Sequence, residues 1–426
     1  MILAYKILTI LLYPLLIILI YLRKFQNKEH KHRFKEKIFP SYFSVLRKEN
    51  SKLLWFHAAS IGEMKSILPL INELNKKDNN FEFLITTVTL SSSNLAEKKL
   101  KQFYNVQHRF FPLDIEFLIN QFLIKWKPNY IFLVDSEIWP NLILNAKKKK
   151  IPIAIINARI TKKSSKRWMK FPKTAKTILN KIDLCLTCNK ETNEFFLKFN
   201  KNVFYTGNIK FITEDYFNID ENLNGKILNI KKFWLAASTH KNEEIFCLKA
   251  HMELKKRFKN LITLIAPRHI DRVNEIQTIC NKLNLNSQIL NENDLILDEK
   301  EVIIINSFGN LNTFFKLSKS VFIGKSMNPK LKNQGGQNPI DAANLGCRIY
   351  HGPYVNNFRE IYAILRENKI AEEVATFIEL ANKLKLDLSI ENKDNENFFK
   401  IMKSLKEKTL NKTMKQINHF LFNENI

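Results

Sequence analysis

Three charged residues stand where an apolar run gives way to a helix signal, and each is of a type that does proton or charge chemistry. Glu63 closes His57-Ala58-Ala59-Ser60-Ile61-Gly62-Glu63. A carboxylate held at such a helix start could accept a proton from a hydroxyl nucleophile. The same spacing, Ser60-x-x-Glu63, is also a capping box, which is purely structural. The readings are compatible, because a capped carboxylate is a positioned one. Glu137 lies in Asp135-Ser136-Glu137-Ile138-Trp139-Pro140-Asn141, where Pro140 also fits the first turn of a helix. Two carboxylates at one rim suit acid/base work or the stabilisation of a cation. Lys210, in Gly207-Asn208-Ile209-Lys210-Phe211, adds a cation able to stabilise developing phosphate or carboxylate charge.

A second group of residues suits anion binding. Ala237-Ser238-Thr239-His240 precedes Glu243 and Glu244, which is good capping chemistry and a possible anion site. Pro267-Arg268 ends the next apolar run, and a strand-end arginine suits a phosphate. In Gln334-Gly335-Gly336-Gln337-Asn338-Pro339-Ile340-Asp341, Asn338 reads as a cap, Pro339 as a helix start and Asp341 as a first-turn acid. Such an arrangement can hold a nucleotide's phosphate and ribose. The chain has only 9 glycines, and average composition would give roughly three times as many. Eight of them, all but Gly225, fall in these and similar short strand-to-loop motifs, so each is expected at a positive-φ turn or a close approach to a ligand.

These residues need a frame. Apolar runs at 53–59, 81–88, 130–136, 151–158, 182–187 and 203–208 read as buried strands separated by Lys-rich helices. A loop-like stretch at 214–227 interrupts the alternation, which resumes with runs at 233–238, 261–267, 301–307, 320–324 and 347–352. The spacing predicts two Rossmann-like α/β halves, 26–213 and 214–426, with a polar helical tail from about 390 counted with the second. Ligands of open α/β sheets bind at the carboxyl ends of the strands, so the motifs are expected to line a cleft between the halves.

Residues 1–25 open with an apolar stretch carrying one charge, Lys6, in its first 22 positions. As a helix those 22 span roughly 33 Å, close to a bilayer core, with Pro14 as a kink site. The Arg-, Lys- and His-rich flank that follows keeps to the cytoplasmic side. The expectation is an uncleaved membrane anchor, with a shallow interfacial helix as the structural alternative. The net charge of +27 fits attraction to an anionic membrane or to nucleic acid. The Lys residues are diffuse and the aromatics sit in core-like runs, so no specific nucleic-acid site is expected. Five scattered cysteines fit a reducing compartment. Cys185 and Cys188 sit in a strand-like run and read as buried and structural, and no metal site is expected. Neither a Walker A loop nor a dinucleotide fingerprint is present.

Taken in order, these motifs resemble the 3-deoxy-D-manno-octulosonic acid (Kdo) transferases of Gram-negative bacteria. The resemblance runs over nearly the whole chain, through RFKEKIF, WFHAASIGE, DSEIWPN, NARITKKSSKRW, TGNIKF, AASTHKNEE, APRHIDR and GGQNPIDAANLG. It implies a GT-B fold, with an acceptor domain first and a nucleotide-sugar domain second. The implied reaction is inverting transfer of Kdo from CMP-Kdo to lipid IVA, in lipopolysaccharide synthesis at the cytoplasmic face of the inner membrane, without a cofactor or nucleotide-bound metal. It places the general base on Glu63, a second essential acid on Glu137 and a supporting cation on Lys210. It places CMP contacts on Pro267, Arg268, Phe308, Gly309, Asn310 and Asn338, Pro339, Ile340 and Asp341. The chain departs from the family at Asp341, where Glu is usual, at Lys325, where glycine is common, and at Pro329 to Asn333, which read as a short insertion. Another GT-B enzyme using a UDP-sugar would share the fold and differ in its donor.

Overall fold

The continuous apolar runs become parallel strands because both faces of each sheet are covered by helices. In the computed structural model, residues 1–39, 45–212, 222–307, 309, 311–390 and 396–422 are described. The chain divides into two units, 1–214 with 406–426, and 215–405. The described residues of the first unit form a seven-stranded sheet. Its spatial order is β3 (Val106–Phe110), β2 (Phe81–Thr87), β1 (Lys52–His57), β4 (Tyr130–Val134), β5 (Ile153–Ala158), β6 (Leu184–Thr187), β7 (Val203–Tyr205). The second unit repeats the plan in the order β10 (Ser287–Leu290), β11 (Val302–Ile305), β9 (Leu261–Pro267), β8 (Lys232–Thr239), β12 (Ser320–Ile323), β13 (Arg348–His351), β14 (Ala371–Glu373).

Every strand pairing among the described residues is parallel, with β1 between β2 and β4 and β8 between β9 and β12. The strand order therefore reverses between β1 and β4 in one unit and between β8 and β12 in the other. Those switch points are where open α/β sheets bind ligands. In the first unit the helix Ile61–Lys77 covers one face, burying Met64, Ile67, Leu68 and Ile71 against Leu54, Phe56 and Phe132. Cys185 and Cys188 are buried at the β6 end of the sheet, as expected.

The tail departs from expectation. One helix, Glu396–Phe422, closes the described chain, and from Lys406 onward it belongs to the first unit. The physical reason is apolar: Met414, Ile417 and Leu421 are buried in the cluster that contains Leu54 and Phe56. Most of the predicted loop at 214–227 lies outside the described residues, and a short helix, Gly225–Ile230, begins at its end.

The N-terminal apolar stretch is two helices, Ile2–Leu11 and Tyr13–Phe25, bent by 52°. Pro14 sits in the first turn of the second helix. It lacks the N–H that would continue the first, which accounts for the break. No single described helix is long and apolar enough to cross a membrane, whereas the bent pair passes that test by length and composition. One side of the pair is tied to the first unit by Tyr5 to Asp114, Lys6 to Glu116 and the Tyr13 hydroxyl to the Ile38 carbonyl. Leu3, Ile7, Leu11, Leu15, Ile18, Leu22 and Phe25 are exposed.

Candidate active site

Glu63 follows β1 and Glu137 follows β4, so the two carboxylates flank the switch point of the first sheet. The Ser60 hydroxyl donates to Glu63 Oε1 at 2.7 Å, and the Ala59 N–H donates to Oε2 at 2.8 Å. The expected capping box is thus only half made: the Glu63 N–H reaches Ser60 Oγ at 3.4 Å, while the carboxylate reaches back to Ala59 rather than to the Ser60 N–H. Burial raises the Glu63 carboxyl above its ordinary value. The Ser60 and Ala59 hydrogen bonds oppose that rise, and the nearby Asp135 and Glu137 carboxylates add to it. A raised carboxylate that is still hydrogen-bonded in place has the character of a general base.

Glu137 Oε2 accepts the Trp139 indole N–H at 2.8 Å and lies 3.4 Å from His57 Nε2. That second approach is too poorly aligned for a hydrogen bond, so the ring nitrogen has no formal partner. His57 is fully buried, its Nδ1 on the Thr86 hydroxyl at 3.0 Å and its face on Phe111. Lys210 joins the group through a residue that sequence reasoning passed over: its ammonium is 2.9 Å from Asp135 Oδ2. Asp135 opens the DSEIWPN motif at φ 66°, a left-handed conformation that Asp tolerates better than most residues. Its place as the first charged residue after a strand was the signal available. Asn157 positions the lysine's segment, its Oδ1 accepting the Ile209 N–H at 3.0 Å.

The first unit therefore gathers Glu63, Asp135, Glu137 and Lys210, three carboxylates with one ammonium. Such a balance favours a centre that gains positive charge during reaction.

In the second unit the supposed anion site is already filled by the chain. Glu243 is buried, and its carboxylate accepts four backbone N–H groups. Oε2 takes those of His240 at 2.8 Å and Lys325 at 2.7 Å, and Oε1 those of Ser326 at 2.7 Å and Met327 at 2.9 Å. These belong to the loops after β8 and β12, the switch point of this sheet. Glu244 is engaged by the Arg272 guanidinium at 2.8 and 3.2 Å. Arg268 is bound by its backbone to the Thr239 carbonyl, and its side chain is exposed. Lys325 stands at φ 60°, which explains why a glycine suits that position.

The glycines here serve the packing of loop on loop more than the approach of a ligand. A Cβ on Gly335 would lie 2.1 Å from the Tyr354 carbonyl oxygen. We expect Gly335→Ala to destabilise the second unit by about 3 kcal/mol, read from its urea midpoint. Asn338 is not the expected N-cap, a position that falls on Pro339 without a side-chain cap bond; its Oδ1 accepts the Ile340 N–H at 3.2 Å from one residue further out. The helix itself begins at Ile340, one residue after Pro339, with Asp341 in its first turn. Ile340 is fully buried and its N–H is held by Asn338, so it presents no exposed surface to a ligand. Gly309 has φ 92°, while Phe308 and Asn310 lie outside the described residues.

Two parallel-sheet α/β units of this kind define the GT-B fold, which by itself names no activity. Among solved structures, a UDP-GlcNAc 2-epimerase from Neisseria meningitidis aligns over 88% of this chain and 100% of its own with a TM-score of 0.57 at 14% identity, a likeness of fold alone. Residues 32–213 match the family model described as 3-deoxy-D-manno-octulosonic-acid transferase (kdotransferase). The 3-deoxy-D-manno-octulosonic acid transferase of Rickettsia typhi is 32% identical over 82% of this chain and 74% of its own. The probable mitochondrial 3-deoxy-D-manno-octulosonic acid transferase of Arabidopsis thaliana is 30% identical over 90% of this chain and 87% of its own. The chain belongs to the Kdo transferase family and is a glycosyltransferase.

Proposed function

We propose that this enzyme moves Kdo from CMP-Kdo to lipid IVA in lipopolysaccharide synthesis, with inversion at the anomeric carbon and Glu63 as the base. The observation that carries this reading is the acidic group at the β1–β4 switch point, with Glu63 buried, raised and hydrogen-bonded. The acceptor hydroxyl oxygen bonds to the anomeric carbon as the bond from that carbon to the CMP phosphate oxygen breaks. The hydroxyl proton passes to Glu63, and CMP leaves with the electron pair. Glu137 and the Asp135–Lys210 pair stabilise the charge that develops. The donor is held in the second unit by Arg268 and by the segments at Pro267, Phe308 to Asn310 and Asn338 to Asp341. No cofactor or metal takes part. The apolar helix pair attaches the enzyme to inner-membrane lipid, lying in the interface with the catalytic units on the cytoplasmic side. Its lengthwise seating on the first unit supports the interfacial arrangement over a spanning one.

The test is incubation of detergent-purified protein with CMP-Kdo and lipid IVA, with products read by mass. A gain of one or more Kdo units with CMP release is expected. No gain from folded protein and intact donor would overturn the donor–acceptor assignment, and a UDP-sugar would be tried next. Arg268→Ala should raise the donor KM about tenfold or more and leave kcat nearly unchanged; an unchanged KM would remove Arg268 from the donor site. Proton transfer to Glu63 needs its ionised form, and the folded protein raises its pKa. The rate constant kcat/KM should therefore fall toward acid along a limb whose midpoint lies above the ordinary 4.5. A limb at or below that value would contradict the assignment.

A further inference from the structure

The segment from Phe111 to Asp114, just after β3, takes no part in the reaction above, yet it holds the Glu137 loop at two points. Phe111 stacks on His57 with ring centroids 3.9 Å apart, and packs on Trp139 at 5.3 Å. Those are the two side chains that face the Glu137 carboxylate. Three residues on, Asp114 is buried, and both its oxygens accept backbone N–H groups. Oδ2 takes that of Asn141 at 3.0 Å and Oδ1 that of Leu142 at 2.8 Å. These are orphan donors of the helix Pro140–Lys148, whose own N-cap, Trp139, supplies no side-chain acceptor. A carboxylate from another loop thus caps the helix that the DSEIWPN motif starts.

The third donor to Asp114 comes from the apolar N-terminus. The Tyr5 hydroxyl, on the helix Ile2–Leu11, reaches Oδ2 at 2.9 Å. One turn on, Thr9 Oγ1 accepts from Asn141 Nδ2 at 3.4 Å. Burial pushes the Asp114 carboxyl up to about 6, against the Asn141, Leu142 and Tyr5 donors that favour its charge. A carboxylate so far from water depends on each donor it has.

We propose that Asp114 and Tyr5 are positioning residues for Glu137, so that seating of the apolar N-terminal helix completes the cap that fixes the Glu137 loop. The proposal rests on the reading of Glu137 as a site carboxylate. When the helix leaves its seat, the cap loses the Tyr5 hydroxyl and the loop loosens. Turnover then falls while donor binding in the second unit persists. Attachment of the segment and competence of the acid cluster are in this way one equilibrium.

The test uses full-length protein in detergent, with kcat, donor KM and thermal midpoint measured for Tyr5→Phe, Asp114→Asn, Lys6→Ala and Glu137→Gln. Tyr5→Phe keeps the ring and removes one hydroxyl. Its kcat should fall about three- to thirtyfold, with donor KM within about twofold of the parent. Asp114→Asn should lose more, with the same split. Lys6→Ala, on the same helix as Tyr5, removes a partly exposed ion pair to Glu116 without touching Asp114; such a pair contributes too little to unseat the helix, so kcat should be kept. Wild-type kcat in Tyr5→Phe beside a large loss in Glu137→Gln would overturn the proposal and leave the Glu137 reading standing. An equal loss in Lys6→Ala and Tyr5→Phe would overturn the assignment of Tyr5 as a positioning residue, because the helix would then act without the hydroxyl that completes the Asp114 cap. Normal turnover in Glu137→Gln would remove the Glu137 reading itself and this inference with it.

Discussion

Glu63→Gln should lose about two to four orders of magnitude in kcat, the usual contribution of a general base, while the protein stays folded. The physical argument separates the two effects. Glutamine keeps one carbonyl oxygen, so it can still accept either the Ala59 N–H or the Ser60 hydroxyl that the carboxylate accepts now. The variant also removes a negative charge that Asp135 and Glu137 both oppose. Its thermal midpoint should therefore match or exceed that of the parent, a pattern expected where a charged group is retained for chemistry at some cost in stability. Donor KM should change little, because the donor segments belong to the second unit. Glu63→Ala removes both carboxylate hydrogen bonds as well, at about 1 kcal/mol, while the backbone N–H of residue 63 keeps the Ser60 cap. Measured turnover, donor KM and midpoint together decide the matter. Near-normal kcat in Glu63→Gln would end its assignment as the base, and a large drop in midpoint would recast it as a structural cap.

How much of this was legible in the chain follows from burial. Central strands such as β4 (YIFLV) are covered on both faces and read as unbroken apolar runs. The strands that went unread are β3 (VQHRF), β10 (SQIL) and β14 (AEE), each at the edge of its sheet. An edge strand is only partly covered, so its sequence carries polar residues and loses the apolar signature. At the site, Glu63, Glu137 and Lys210 were legible because each sits at a strand end inside a short motif. Asp135 was not singled out, since nothing in one sequence says that Lys210, 75 positions away, returns to pair with it. Asp114 was invisible for the same reason: its partners come from two separate places in the chain, Tyr5 on one side and Asn141 and Leu142 on the other. The glycines were read as positive-φ turns or close approaches to a ligand, and Gly207, Gly309, Gly336 and Gly346 do stand at positive φ. At Gly324 and Gly335 the crowding atoms include backbone from elsewhere in the same unit, at 2.6 and 2.1 Å.

Glu243→Ala should destabilise the second unit by about 4 kcal/mol and remove donor binding with it. Glu243 sits in the first turn of the helix Glu243–Lys255 and would pass for an ordinary acid at a helix start. Its carboxylate is instead the shared acceptor for four N–H groups from two loops. Alanine leaves those donors unpaired in a buried place, each a cost that water entry only partly relieves. The geometry also propagates. Ser326, held through its N–H, accepts from the Gly352 N–H on its hydroxyl and from the Tyr354 N–H on its carbonyl. Gly336 donates to the Lys325 carbonyl. One carboxylate therefore orders the loops around the β8–β12 switch point, together with the Gln334 to Asp341 segment that the proposed donor requires. Glu243→Gln is the sharper variant. It keeps the volume and one acceptor oxygen, but turns an NH2 donor toward two of the four N–H groups and gives up the charge assistance. It should cost about 2–3 kcal/mol. Amide hydrogen exchange at His240, Lys325, Ser326 and Met327 reads the effect directly, since these four amides should lose protection together. Protection retained at all four in Glu243→Gln, with an unchanged donor KM, would show that the loops hold their form without the carboxylate.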